Sequence, residues 1–176
     1  MITSRKDLKD IITEERRIYL QSEPLVRMIT YDQQYLTFKF LRFVRIMEYY
    51  HNKKNYLMYF FYRRQKNKLG IKLGIEIQDN CVDRGLVIYH PSNIVINGFA
   101  KIGKNCKLHG NNCIGNNGKN NKAPVIGDNV RICVGANIIG DVYIADDIIV
   151  AAGAVVVNSF YEKGITIGGV PARKLK

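Results

Sequence analysis

The stretch VIGDNVRICVGANIIGDVYIADDIIVAAGAVV (Val125–Val156) decides the fold. Ile126, Ile132, Ile138, Ile144, Val150 and Val156 fall six residues apart. Four residues after most of them comes a second small or apolar side chain: Val130, Ala136, Val142, Ile148 and Ala154. Six is neither the period of a helix nor that of a flat strand. It is the repeat of a solenoid in which each hexapeptide makes one short face and one corner, so that every sixth side chain points into a narrow prism. The Gly, Asn and Asp residues after the aliphatic positions suit corners, where the backbone turns through conformations that a Cβ resists.

Further back in the chain, Ile96, Ile102, Leu108 and Ile114 hold the same spacing, with Ala100 and Cys106 in the second series. Two irregularities stand out. GNNGKNNKAP (Gly115–Pro124) contains no Val, Leu or Ile and reads as one hexapeptide plus an inserted loop of about six residues. Such a polar excursion from a regular solenoid belongs to its binding face. In RGLVIYHPSNIVING (Arg84–Gly98), Ile88 and Ile96 are eight residues apart, and His90 lies inside the break. A purely structural corner is served by Gly or Asn, as the later ones are, so His90 is the candidate general base. His109 follows the inward Leu108 and is expected to point outward at a groove. His51, among lysines, reads as solvated.

The four cysteines, Cys81, Cys106, Cys113 and Cys133, form no C-x-x-C and no ligand-like pairing with histidine. That excludes a zinc site or disulfide framework from the reading, implies no metal, and fits a reducing cytosol. Cys113 and Cys133 are expected to be small buried fillers.

Ahead of the solenoid the pattern is helical. Leu36, Phe40, Phe43, Val44 and Met47 follow i, i+3/i+4 spacing, Asp32 can cap that helix, and HNKKN (His51–Asn55) breaks it before an aromatic-rich second helix. The expected organisation is a small α-helical N-terminal region over 1–69, then a mainly β parallel solenoid over 70–176. The net charge is +12, with 15 Lys and Arg against 7 Asp and Glu in residues 1–68 and 12 against 8 thereafter. No nucleic-acid module signature accompanies it, so no nucleic-acid partner is expected; a solvated basic face is the simplest reading, and contact with acidic membrane lipid or a polyanion is the sharper one. The N-terminus has no apolar core of a secretory signal, and the longest apolar run, Tyr56–Tyr62, is too short to span a bilayer, so a cytoplasmic protein is expected.

The segment GIEIQDNCVDRGLVIYHPSNIVINGFAKIGKNCKL, the loop IGNNGKNNKAPVIGDNV, the later rungs and the ending GGVPARKL, taken in order, resemble the hexapeptide-repeat acyltransferases, and among them the serine acetyltransferases. The resemblance covers roughly residues 70–174. It implies a left-handed parallel β-helix, a homotrimer (with pairing of trimers left open), and acetyl-CoA bound in the groove between neighbouring prisms. A histidine takes the proton of an acceptor hydroxyl as its oxygen attacks the thioester, with no acyl-enzyme. The resemblance carries that histidine onto His90 and its orienting carboxylate onto Glu76, with Asp79 and Asp83 as rivals. It carries the CoA-binding turn onto Gly115, Asn117, Gly118 and Lys119, the pantetheine passage onto Ala152 and Gly153, and phosphate contacts onto Arg173 and Lys174, with Lys122 also suited.

Three positions depart from the pattern. Tyr89 stands where aspartate is usual, Ala123 stands where a second site histidine is usual, and the helical region is shorter and more aromatic. His109 is a candidate to replace that second histidine. The implied acceptor is L-serine; a sugar hydroxyl in polysaccharide biosynthesis is the alternative, and a non-catalytic binding or assembly module is the reading from a different class.

Overall fold

The computed structural model describes residues 1–175. Four helices come first: α1 (Arg5–Tyr19), α2 (Pro24–Ile29), α3 (Gln33–Asn52) and α4 (Tyr56–Leu73). Local chemistry sets their ends. Ser4 and Asp7 form a reciprocal capping box on α1, the Asp32 carboxylate accepts the Gln34 N–H at the start of α3, and Asn55 caps α4. Helix α4 runs on to Leu73 and stops at Gly74 in the left-handed region, so the solenoid takes over at Ile75 rather than near residue 70.

Fourteen short strands follow: β1 (Ile75–Ile77), β2 (Val87–Ile88), β3 (Ile94–Ile96), β4 (Lys101–Ile102), β5 (Lys107–Leu108), β6 (Cys113–Gly115), β7 (Val125–Ile126), β8 (Arg131–Ile132), β9 (Asn137–Ile139), β10 (Tyr143–Ile144), β11 (Ile149–Val150), β12 (Val155–Val156), β13 (Thr166–Gly169) and β14 (Ala172–Lys174). They build three sheets, ordered β1-β3-β6-β9-β12, β4-β7-β10 and β2-β5-β8-β11-β13-β14. All pairings are parallel except the β13–β14 hairpin. From β3 to β12 successive strands visit the first, second and third sheets in rotation, as in the left-handed parallel β-helix expected.

The register explains the six-residue period. Ile88 pairs with Leu108 and Leu108 with Ile132; Ile132 pairs with Val150 and Val150 with Ile167, so one aliphatic column runs up the inside of the third sheet. All ten in-phase positions from Ile96 to Val156 are buried. Full burial of each such side chain contributes roughly 1.5–3 kcal/mol. At one corner Asn105, Asn129 and Asp147 adopt positive φ, and their side chains form a ladder of hydrogen bonds at 3.1 and 3.0 Å.

The helices are tied to the first coil by buried polar contacts. Arg45 bonds Glu15 at 2.7 Å, Glu48 at 3.2 Å, and the carbonyls of Val82 and Asp83 at 2.7 Å each. The Tyr19 hydroxyl donates to the Leu86 carbonyl and accepts the Ile88 N–H. Lys66 donates to the Ile77 carbonyl at 2.9 Å.

Candidate active site

The corner between β2 and β3 is built unlike those that follow. Ile88 pairs with Leu108 and Val95 with Cys113, so Tyr89–Ile94 fill this corner where His109–Asn112 fill the next. The extra length lets the His90 side chain stand exposed beside the ladder. The corner of the next coil supports it closely. Gly110 has φ +110°, and a Cβ there would lie 2.7 Å from the His90 carbonyl oxygen, so no larger residue fits. Buried Asn112 pins this glycine: its Oδ1 accepts the Gly110 N–H at 3.0 Å, and its Nδ2 donates to the carbonyls of Cys133 and Ala136. Sequence reasoning missed Asn112, which lies among several asparagines and is distinguished only by its burial.

Tyr89 is 39 % exposed. Its ring lies 4.7 Å from that of His109, tilted by 45°. His109 is half-buried, and its Nε2 is enclosed with no hydrogen-bond partner among the described residues. Desolvation first, then the charges of Arg131, His90 and Lys107, hold its pKa below the ordinary imidazole value. His109 therefore holds its proton less readily than a free imidazole and keeps an unpartnered ring nitrogen.

Backbone pairing aligns Tyr89, His109, Cys133, Ala151 and Gly168 on successive coils of the third sheet. These side chains shrink in that order. Beside them, Ala152 and Gly153 are exposed, and nothing lies within 4 Å of a Cβ built at Gly153. A run of small residues thus leads from the His90 corner along the prism.

The remaining candidates lie elsewhere. Gly115 ends β6, and the polar loop follows at the corner between the first and second sheets, whereas His90, Ala152 and Gly153 share the corner between the third and first. Within the loop, Lys119 N–H donates to Asn117 Oδ1 at 3.0 Å, Gly118 has φ +75°, and Lys122 bonds Asp141 at 2.6 Å. Arg173 and Lys174 lie exposed on β14, with Lys174 paired to Glu162 at 2.7 Å. Glu76 faces outward from β1 and accepts from Gln78 Nε2 at 3.4 Å. It lines a hollow of about 580 Å³ against α4 and an adjoining one of about 410 Å³ over the first sheet; His90 lines neither.

Two expectations need correcting. His51 is not merely solvated: its Nδ1 meets the Asp79 carboxylate, and its ring lies 4.7 Å from Tyr59. The turn after β1 carries Asp79 back to the end of α3. Cys113 and Cys133 are half-buried instead of enclosed, because each adjoins an inward aliphatic residue and so faces the outer side of its strand.

No family model matches the chain. Against curated proteins, it is 34 % identical over 106 residues to a serine acetyltransferase of Staphylococcus xylosus, across 58 % of this chain and 49 % of that protein. By sequence and by fold, the chain is similar to serine acetyltransferases. The chain spans about half the length of several curated relatives it matches. Among solved structures, the soybean serine acetyltransferase apoenzyme superposes with a TM-score of 0.79 at 22 % identity, over 96 % of this chain and 69 % of that one. A serine acetyltransferase in complex with CoA gives 0.78 at 20 % identity, over 97 % and 71 %. The soybean protein has also been solved complexed with serine. At these identities the structural likeness is one of fold.

Proposed function

We propose that this protein transfers the acetyl group of acetyl-CoA to a hydroxyl group, with His90 as general base. The observation that carries the reading is the exposed His90 imidazole in a lengthened corner, above a track kept small by Gly110, Cys133, Ala152 and Gly153. The base takes the hydroxyl proton as the oxygen attacks the thioester carbonyl, and backbone N–H groups stabilise the oxyanion. The C–S bond then breaks, and the imidazolium returns the proton to the departing CoA sulfur. Similarity to relatives solved with CoA and with serine supports acetyl-CoA as donor and L-serine as the first acceptor to try.

The loop and the His90 corner are separated within one chain; the resemblance implies a homotrimer, and in that assembly the complete site is formed between copies. Gly115, Asn117, Gly118 and Lys119 of one copy then face the base of the next, with Arg173 and Lys174 near the CoA phosphates. His109, packed on Tyr89 beside the base, lines the acceptor side of the site. The role of Glu76 as orienting carboxylate rests on the resemblance; Glu76→Gln tests it through a lowered kcat at unchanged KM. The reaction belongs in the cytoplasm, where acetyl-CoA is found.

A sugar hydroxyl is the second reading of the acceptor, favoured by the exposed Tyr89 ring beside the base: an aromatic face suits a pyranose ring, and Tyr89 lacks a carboxylate to pair with an ammonium group. The deciding experiment is thiol release from acetyl-CoA with L-serine and with a panel of sugars. Turnover of one acceptor supports the transferase and names its class. No turnover, together with no rise in melting temperature on adding CoA, leaves a binding or assembly module.

A further inference from the structure

Helix α4 presents an outward face that none of the described residues covers. Its inner side packs on α3 and β1 through Tyr59, Lys66 and Gly70. On the opposite side Leu57, Phe60, Phe61, Arg64, Lys68 and Ile71 recur at spacings that bring them onto one stripe. Leu57 is 82 % exposed, Phe60 59 %, Phe61 52 % and Ile71 84 %.

The charge around this stripe has one sign. From Lys53 to Leu73 there are seven Lys and Arg and no Asp or Glu. Lys66 is buried against the Ile77 carbonyl. Lys53, Lys54, Arg63, Arg64, Lys68 and Lys72 are exposed, and none forms an ion pair among the described residues. Isolated surface cations need no partner, and scattered exposed apolar residues are ordinary. An exposed apolar cluster of Leu57, Phe60 and Phe61, continued along the same stripe by unneutralised Arg64 and Lys68, is not, because it suits a surface that is apolar below and anionic on top. A second copy docking the same stripe about a two-fold axis would bring Arg64 and Lys68 against their own counterparts with no carboxylate between them.

We propose that the outer face of α4 docks on an anionic phospholipid bilayer, with Leu57, Phe60 and Phe61 in the interfacial layer and Arg64, Lys68 and the flanking cations on the headgroups. The helix lies in the surface plane and does not cross it; among the described residues no helix is long and apolar enough to do so. Cations near an anionic leaflet act additively and are screened by salt, so binding weakens as ionic strength rises.

The test is flotation of the full chain with vesicles of phosphatidylcholine alone or with added phosphatidylglycerol, at low and at physiological salt. The expected result is partitioning onto the anionic vesicles only, reduced by salt and cut roughly tenfold or more by Arg64→Glu with Lys68→Glu. Phe60→Ser with Phe61→Ser should also weaken it, leaving melting temperature and thiol release unchanged. Equal partitioning of the parent and both variants, or none at low salt, overturns the proposal. So does a concentration-dependent self-association of the parent that both variants abolish, which would make the face a contact between copies.

Discussion

Gly110 and His109 define how much the His90 corner tolerates. Gly110→Ala places a methyl group against the His90 carbonyl and a side chain in a left-handed backbone, at a cost of about 1–3 kcal/mol readable by urea unfolding. It also displaces the base and lowers turnover. His109 has a folded-state pKa below its unfolded value of 6.5. The unfolded chain therefore binds more protons in this range, and the contribution of His109 to stability is complete above the unfolded value and lost as pH falls through the folded one. His109→Gln should flatten this part of the melting-temperature profile below neutral pH; an identical acid slope in parent and variant would refute the assignment. The lengthened corner that carries His90 was legible in the sequence because it interrupts a count of six. Asn112 and the His51–Asp79 pair were not, since burial and a contact across 28 residues leave no local trace.

At the scale of elements, the rungs were legible because a prism wall admits one side-chain period, and every predicted inward position is buried. The junction between helices and solenoid was not, because its polar contacts join residues far apart in sequence. Arg45 is its centre, fully enclosed with Glu15 and Glu48, and burial pushes the Glu15 carboxyl up while Arg45 opposes the shift. Arg45→Ala leaves two buried carboxylates without their cation and should cost about 3–5 kcal/mol in denaturant unfolding. Replacing Arg45, Glu15 and Glu48 together with apolar residues of similar size should recover most of that loss. A single Arg45→Ala variant as stable as the parent would show that the contact does not tie the helices to the first coil.

For the whole molecule, the separation of the polar loop from the His90 corner makes a shared site the central architectural expectation. A chain carrying His90→Ala and a second chain whose loop 116–122 is replaced by glycine and serine should each be inactive alone. Refolded together, they should regain part of the parental activity through interfaces that pair an intact loop with an intact base. No recovery from mixed assemblies would confine the site to one chain. The most direct test of the account remains the base itself: steady-state thiol release from acetyl-CoA with the preferred acceptor, compared between parent and His90→Ala. The account predicts a fall in kcat of about 10²–10⁴-fold with the melting-temperature rise on CoA binding retained. A His90→Ala variant that turns over as fast as the parent would contradict it.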